Sequence, residues 1–316
     1  MRESLVIGVD AGATTTRCAL SDLDGNILAR AEAGGANRNS SGSAPAEALA
    51  TALRTLLDQS RDDLARVALG VVGVAGGASL RAATQAAAEE AWHAVGLPGR
   101  VAAVTDLEAA FAAGTSSPDG LLLLAGTGAV GAAFSGGRLT HRCDGYGWLL
   151  GDEGSAVWIG RAGLRAVLRA LDGRGPATAL TPLLSDFLHV PADPQALLRD
   201  AFDHPPAALG ALAPLICSLV DDPVAFGIVE EAAAHLLHTL DTVAARAALV
   251  DPPVVLAGSV LLTEGPVAER VRAGVRERYR IVPIDARYGP AGALWLAISQ
   301  LSGAFPDPLV HARLTR

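Results

Sequence analysis

The stretch GVDAGATTT, residues 8–16, places one acid, a turn of small residues and three hydroxyls directly after an apolar run. Such a turn presents backbone N–H groups to a phosphate, and hydroxyls such as that of Thr14 add donors. All 25 basic residues of the chain are Arg, so no Lys is present to neutralise a phosphate. A Mg²⁺ ion beside Asp10 would supply this charge. The alternative is that Asp10 only forms the turn.

The absence of Lys excludes several mechanisms. P-loop NTPases need a Lys on the terminal phosphates, and protein kinases need one on a strand. Pyridoxal and Schiff-base enzymes need its reactive amine. None of these sites can be built from this sequence.

Residues 126–131, GTGAVG, follow a second apolar run and match the pattern G-x-G-x-x-G of dinucleotide-binding folds. That fold requires the glycines to begin a long helix, whereas Ser135, Gly136 and Gly137 interrupt the chain shortly afterwards. A hairpin is therefore favoured over a helix. Thr127 adds a hydroxyl to what becomes a second candidate phosphate turn.

Asp106 follows the apolar strand VAAVT, at the strand end where α/β proteins bind their ligands. A carboxylate there can accept the proton of an attacking hydroxyl. The residues support a second interpretation equally well. Thr105 and Glu108 have the spacing of a capping box, which would make Asp106 an ordinary acid in the first turn of a helix.

The stretch CDGYGWLLGDEGS, residues 143–155, combines glycines, aromatic side chains and paired acids before a predicted helix. Gly145 and Gly147 indicate close approach of the backbone to a ligand. Asp152 and Glu153 have two interpretations. They would bind sugar hydroxyls or cap the helix that follows, and capping is the commoner role of acids at such a place.

The elements that must position these residues alternate between strands and helices, which indicates an α/β fold. Three short strands come first, with an Asp-Gly hairpin signal between the second and the third. After a turn-rich break at 116–120, the order of strand, tight turn and strand begins again. The other predicted elements are helices over 45–60 and 80–95, mainly helices over 156–250, a buried strand at 254–258 and a final helix from Pro290.

Composition limits the classes of function. A chain of 316 residues, of which 50% are hydrophobic, can bury a large core, and its length predicts about two domains. The net charge of −8 and the 4% of aromatic residues argue against a nucleic-acid partner. No apolar stretch reaches the ~18 residues of a membrane span, so we expect a cytoplasmic protein without a membrane partner. Cys18, Cys143 and Cys217 form no C-x-x-C pair, so we expect reduced structural thiols.

Five stretches together resemble the BadF/BadG/BcrA/BcrD-type ATPase branch of the actin, Hsp70 and sugar-kinase superfamily, and within it the N-acetylglucosamine kinases. They are GVDAGATTT, TD at 105–106, AGTG at 125–128, GDEGS at 151–155 and LAGS at 256–259. The resemblance implies a two-lobed actin-like ATPase fold of the ribonuclease H-like type. Its mixed β-sheet domains are duplicated, and a helical insertion lies in the second lobe. The N-terminal lobe would be residues 1–117 completed by a C-terminal helix 290–316, and the C-terminal lobe residues 118–289.

The resemblance also implies roles for individual residues. Asp106 would be the catalytic base, and Asp10 would organise Mg²⁺. The residues implied at ATP are Gly12, Thr14, Gly126, Thr127, Gly128, Gly258 and Ser259. Those implied at the sugar are Asn37, Asp106, Gly145, Gly147 and Asp152.

The implied function is ATP-dependent phosphorylation of an amino sugar in the cleft between the two lobes of the chain. The resemblance also implies a homodimer formed through one lobe. N-acetylglucosamine, converted to its 6-phosphate, is the first candidate, and glucosamine is the alternative because one carboxylate in a pocket serves either sugar. An ATPase switch without kinase activity is the alternative from another class. The cysteines are too far apart for the iron–sulfur cluster of the family's dehydratase activators.

Overall fold

A computed structural model describes residues 4–12, 15–34, 45–60, 64–74 and 81–316, except for the side chain of Arg81. Two of the predicted site residues, Thr14 and Asn37, lie outside this part of the chain. The chain divides into two compact units. Unit 1 is Met1–Pro118, Gly136–Arg138 and Ala286–Arg316, and unit 2 is Asp119–Ser135 and Leu139–Asp285.

Each unit contains one mixed sheet. The strands are β1 (Leu5–Ala11), β2 (Thr15–Asp22), β3 (Ile27–Gly34), β4 (Val67–Val74), β5 (Arg100–Thr105), β6 (Gly120–Ala125), β7 (Ala129–Ser135), β8 (Arg138–Asp144), β9 (Val254–Ala257) and β10 (Ile284–Asp285). The sheet orders are β3-β2-β1-β4-β5 and β10-β9-β6-β7-β8. Read from opposite ends, these orders are the same, so the predicted duplication of a mixed α/β sheet is confirmed.

In both sheets a hairpin is followed by parallel strands. β1 pairs antiparallel with β2 and parallel with β4, and β4 pairs parallel with β5. In unit 2, β6 pairs antiparallel with β7 and parallel with β9. The predicted Asp-Gly hairpin between β2 and β3 is confirmed, and Gly25 has φ +85° there, a backbone conformation that favours glycine.

Helices connect and cover the sheets. They are α1 (Pro45–Gln59), α2 (Arg81–Ala94), α3 (Asp106–Gly114), α4 (Ala156–Leu171), α5 (Leu180–Leu188), α6 (Pro194–Asp203), α7 (Ala213–Ser218), α8 (Pro223–Ala247), α9 (Ser259–Leu262), α10 (Pro266–Tyr279), α11 (Gly289–Ser302) and α12 (Pro308–Leu314), with 3₁₀ turns at Leu64–Arg66 and Pro206–Leu212. The region predicted as mainly helical holds α4 to α8, which pack into the core of unit 2.

The end of the chain differs from the single C-terminal helix predicted over 290–316. α11 ends at Ser302 because Gly303 adopts φ +68°. A second helix then starts at Pro308, with the side chain of Asp307 accepting from the N–H of Leu309 at 2.8 Å. The predicted helix is therefore two helices separated by a glycine stop and a new N-cap.

α11 lies directly on the first sheet. A Cβ atom on Gly8 of β1 would come within 2.7 Å of the backbone of Leu294, and one on Gly292 would overlap the backbone of α3. Trp295 and Ile298 of the same helix are 2% and 1% exposed. Glycines on both sides therefore let α11 approach β1 and α3 closely.

None of the described helices is by itself long and apolar enough to cross a membrane. Pro206–Ser218 and Pro223–Ala247, bent by 116°, meet that test as a pair by length and composition only. The three cysteines are free thiols, as predicted.

Candidate active site

Asp10 lies at the carboxyl end of β1, the central strand of the first sheet. It is paired in register with Arg17 of β2 and Gly73 of β4. Gly289, the first residue of α11, lies so close that a Cβ atom there would overlap the Asp10 carboxylate. The carboxylate therefore faces the N-terminus of α11, where the helix dipole favours negative charge.

The Asp10 carboxyl is largely removed from solvent. Burial raises its pKa above the ordinary value, and the positive charge of Arg17 offsets part of this rise. A largely buried carboxylate gains more from a bound metal ion than an exposed one does. Asp10 therefore suits a divalent cation better than it suits a purely turn-forming role.

Asp106 is the first residue of α3, immediately after β5. The predicted capping box is confirmed: the N–H of Glu108 donates to Oγ1 of Thr105 at 3.2 Å, and the N–H of Thr105 donates to Oε2 of Glu108 at 2.8 Å. The cap is therefore supplied by the two neighbours of Asp106. The helix does not need the Asp106 carboxylate as its N-cap.

The two acids of unit 1 share one edge of the sheet. Asp10 is in register with Gly73, and Gly73 with Val104, two residues before Asp106. Two strand spacings are about 10 Å. The carboxyl ends of β1 and β5 thus place both acids at the same end of the sheet. Gly12 follows on the same edge, where its N–H donates to the carbonyl of Thr15 at 3.0 Å.

The second glycine loop is a hairpin, as predicted, and the dinucleotide-binding alternative is wrong. Gly126 to Gly128 connect antiparallel strands β6 and β7, and the N–H of Gly126 donates to the carbonyl of Gly128 at 2.8 Å. The carbonyl of Gly126 accepts the N–H of Ala156, the first residue of α4. The Thr127 side chain at the tip is exposed.

Gly258 and Ser259 lie against this loop. Gly258 adopts φ +87°, and a Cβ atom on it would overlap the carbonyl of Ala125. A Cβ atom on Gly126 would lie 3.7 Å from the backbone nitrogen of Ser259. The two segments predicted to contact phosphate and adenosine are therefore adjacent, and at position 258 only glycine permits this approach.

A cavity of about 340 Å³ opens beside Ser259. Residues from α4, α7 and the segment 259–268 line it, and its surface is mostly apolar. Ile159, Cys217 and Val260 are among the lining side chains. Its size and apolar lining suit a small aromatic ligand such as a purine nucleoside.

Asp152 also lies against the same glycine loop. A Cβ atom on Gly128 would come within 2.8 Å of its Oδ2 atom, so the carboxylate touches the loop backbone. Its Oδ1 atom accepts the N–H of Gly147 at 3.3 Å. Burial raises the pKa of Asp152, while hydrogen bonds from the N–H groups of Ala129 and Gly147 lower it in part.

The acids of residues 143–155 do not cap α4, so the capping interpretation of Asp152 and Glu153 is wrong. The cap is Ser155, whose buried Oγ accepts the N–H of Trp158 at 3.1 Å. Asp152 is thus available to a ligand, and Glu153 instead pairs with His235 at 3.2 Å. Ser155 was not singled out in the sequence, although its place before an apolar run is typical of an N-cap.

Asp144 is a second residue that sequence reasoning missed. Its carboxylate accepts the N–H of Asp152 at 2.9 Å and the N–H of Glu153 at 2.8 Å. Asp144 itself has φ 62°, and a Cβ atom on Gly151 would overlap its carboxylate. It closes residues 144–153 into a compact loop, which we call the acid loop. No local sequence pattern predicts a contact between residues eight positions apart in a loop.

Gly145 and Gly147 belong to the acid loop and adopt φ +75° and +88°. The carbonyl of Gly145 accepts a hydrogen bond from Arg142, and a Cβ atom on it would lie 3.1 Å from Val130. Nothing lies within 4 Å of the position of a Cβ atom on Gly147. The left-handed backbone conformation explains why glycine occupies positions 145 and 147. Because it has no side chain, Gly147 also leaves open space beside Asp152.

A sequence model of the BadF/BadG/BcrA/BcrD ATPase family matches residues 7–297. An N-acetylmuramic acid/N-acetylglucosamine kinase of Clostridium acetobutylicum is 30% identical over 190 residues, which are 58% of this chain and 60% of the relative. An N-acetyl-D-glucosamine kinase of Dictyostelium discoideum is 29% identical over 217 residues, 64% of this chain and 66% of the relative. The chain thus matches less than two thirds of the length of these two relatives.

Among solved structures, a candidate N-acetylglucosamine kinase from Chromobacterium violaceum has a TM-score of 0.74 and is 25% identical. The likeness covers 93% of this chain and 99% of the other. The predicted fold, including the helical insertion in the second unit, is thereby confirmed.

Proposed function

Because the chain belongs to the BadF/BadG/BcrA/BcrD ATPase family, we propose that it transfers the γ-phosphoryl group of ATP to an amino sugar. The observation that carries this proposal is the order of sites in unit 2. The first glycine of the loop 126–128 lies against Gly258 and Ser259, beside the apolar cavity, and its last glycine lies against the Asp152 carboxylate. A kinase needs this order of nucleoside, phosphates and acceptor.

The proposed acceptor chemistry uses Asp106. Its carboxylate accepts the proton of the sugar 6-hydroxyl while that oxygen bonds to the γ-phosphorus and the bond to the β,γ-bridging oxygen breaks, releasing ADP. Phosphoryl transfer depends chiefly on alignment and charge stabilisation. Backbone N–H groups of the two glycine loops supply donors without Lys, and Thr127 offers an exposed hydroxyl.

Mg²⁺ is the metal ion that this chemistry implies. Among the described residues, no group of three or more His, Cys, Asp or Glu side chains is arranged to hold a metal. Mg²⁺ is usually bound through one or two carboxylates together with substrate phosphates and water. The buried carboxylate of Asp10 fits that mode. When bound, the ion would neutralise charge on the phosphates.

The proposed sugar is N-acetylglucosamine, with glucosamine as the alternative. The names of the two relatives both include N-acetylglucosamine, and one also includes N-acetylmuramic acid. Asp152 offers a carboxylate to sugar hydroxyls, and Gly147 leaves room beside it. A carboxylate of this kind also binds the ammonium of a free amino sugar.

A coupled ADP-release assay with Mg-ATP and a panel of hexoses tests the proposal. N-acetylglucosamine should raise ADP production well above the rate without sugar, and glucosamine is measured beside it. An ATPase switch, the second candidate, would release ADP at one rate with or without sugar. Absence of sugar-dependent turnover across the panel would therefore contradict the kinase and favour the switch.

We further expect a homodimer, a cytoplasmic location and no nucleic-acid or membrane partner. Sedimentation of the purified protein tests the first expectation. A mass near that of one 32.1 kDa chain would contradict it.

A further inference from the structure

Unit 2 contains a second cavity that the proposed reaction does not use. Its volume is about 630 Å³, and it lies between α4 and α8. The apolar cavity beside Ser259 is lined by Ala156 and Ile159, on a different face of α4. This second cavity is called the arginine cavity here, after three residues of α4 that line it, Arg161, Arg165 and Arg169.

The three arginines follow one another at intervals of four residues, so they share one face of α4. Arg161 donates to the carbonyl of Trp148. Arg165 and Arg169 take part in none of the ion pairs that the described residues form. Like charges four residues apart destabilise a helix. An anion between Arg165 and Arg169 would remove this repulsion.

Carboxylates also line the cavity: Glu231 lies on the α8 wall, across from α4, and Glu153 lies just before α4. His235 of α8 lies 3.2 Å from a carboxylate oxygen of Glu153 and 3.6 Å from one of Glu231. The indole of Trp158 meets the His235 ring edge-on at 5.2 Å, and Ile228 and Pro176 add apolar surface. A second phosphate would face these carboxylates, so the wall disfavours a polyphosphate. Carboxylates and imidazole do bind sugar hydroxyls.

We propose that the arginine cavity binds a hexose phosphate, with the phosphate on Arg165 and Arg169 and the sugar hydroxyls on Glu153 and Glu231. The volume lies within the range of about 300–1,000 Å³ that is typical of small-molecule sites. An arginine guanidinium can donate two parallel hydrogen bonds to two oxygens of one phosphate. The arginines and the carboxylates together therefore match a ligand that carries both an anionic group and hydroxyls.

The cavity is linked to the candidate active site through Glu153. The side chain of Glu153 lines the cavity, and its N–H donates to Asp144, the residue that closes the acid loop. A sugar bound at Glu153 therefore contacts the residue next to Asp152. The site is a second carbohydrate site, separate from Asp152 itself.

Calorimetric titration of the whole protein with glucose 6-phosphate tests the proposal. Excess N-acetylglucosamine is present to occupy the predicted acceptor site, and ATP is omitted, so the result does not depend on the proposed kinase reaction. We expect saturable binding that the double variant R165Q/R169Q weakens at least about tenfold. The matched control is R276Q/R280Q, two exposed arginines four residues apart in unit 2 outside the cavity, and it should bind like the wild type.

Inorganic phosphate is titrated in a second arm, and we expect it to bind at least about tenfold more weakly than glucose 6-phosphate, because it lacks the hydroxyls that reach Glu153 and Glu231. Equal affinities would overturn the assignment of a sugar phosphate. The proposal also fails if R165Q/R169Q binds like the wild type, or if millimolar glucose 6-phosphate gives no binding heat. Thermal denaturation confirms that each variant is folded.

Discussion

Asp106 is the residue on which the proposed chemistry depends. Asp106→Asn keeps the size of the side chain but removes its ability to accept a proton. We expect kcat to fall by about 10²–10⁴-fold, while the dissociation constants of sugar and ATP change little. Steady-state kinetics with calorimetric binding measure both quantities.

The matched control lies two residues away, in the same first turn of α3. Glu108→Gln changes a carboxylate to an amide, but Gln can still close the capping box with Thr105. Its kcat should stay near the wild-type value. Equal losses in Asp106→Asn and Glu108→Gln would show that both substitutions act by disturbing the start of α3, and Asp106 would then not be the base.

Asp10 connects function with stability. Burial raises its pKa, so the folded state holds the carboxyl proton more tightly than the unfolded chain does. The wild type should therefore lose stability as the pH rises from the unfolded-state pKa of about 3.9 through the raised folded-state pKa. Asp10→Asn removes the buried charge and should be more stable than the wild type at pH 7, by about 1.4 kcal/mol for each unit of the rise.

Urea denaturation without Mg²⁺ at several pH values measures this difference. The advantage of Asp10→Asn should shrink as the pH falls and vanish below about pH 3.9, where the wild-type carboxyl is protonated in both states. Its sugar-dependent ADP release should be largely lost. A variant less stable than the wild type at pH 7 would mean that attraction between Asp10 and Arg17 outweighs the cost of burial.

The acid loop illustrates how an element depends on one distant contact. Asp144 accepts two N–H groups, those of Asp152 and Glu153. In Asp144→Ala both N–H donors lose their partner, which destabilises the folded acid loop by an amount on the order of 1–3 kcal/mol. We expect the sugar KM to rise about tenfold or more, with the ATP KM little changed.

Asp172→Ala is the control for Asp144→Ala. Asp172 pairs with Arg174 on the exposed surface after α4 and should leave both KM values unchanged. If Asp144→Ala raised the KM of ATP as much as that of the sugar, the acid loop would not be specific to the acceptor.

The elements that sequence predicts best here are those with local signals. The alternating and buried runs of β1 to β7 and the capping box at Thr105 each rest on residues within a few positions of one another. The two-residue strand β10 has no such signal, because its pairing with β9 brings together segments far apart in the chain. The approach of Gly289 to Asp10 was missed for the same reason.

The site residues divide in the same way. Asp10, Gly126 and Asp152 could be proposed because each lies in a short motif of the family. Asp144 and Ser155 were overlooked because their partners are backbone N–H groups, which the sequence does not display. The roles assigned to Thr14 and Asn37 stay predictions.

At the scale of the whole molecule, the two units differ in how the chain builds them. The large apolar cluster of unit 2 consists of residues between Leu121 and Val275. Unit 1 instead combines Met1–Pro118 with Ala286–Arg316. Leu294 and Trp295, contributed by α11, are 0% and 2% exposed in its core, and burying such side chains contributes about 1.5–3 kcal/mol each.

A fragment of residues 119–285 should therefore unfold cooperatively by circular dichroism, whereas residues 1–118 alone should lack a cooperative transition. Adding a peptide of residues 286–316 to the fragment 1–118 should restore a cooperative transition. Cooperative unfolding of residues 1–118 without the peptide would show that α11 is dispensable for the core of unit 1.

The close fit of α11 on β1 also sets the order of events during translation. β1 leaves the ribosome before unit 2 does, but the helix that covers it is made only after unit 2. Domains usually fold from the N-terminus onward as they emerge. Here we expect unit 2 to finish folding before unit 1. Until α11 is made, the apolar face of β1 stays exposed to chaperones.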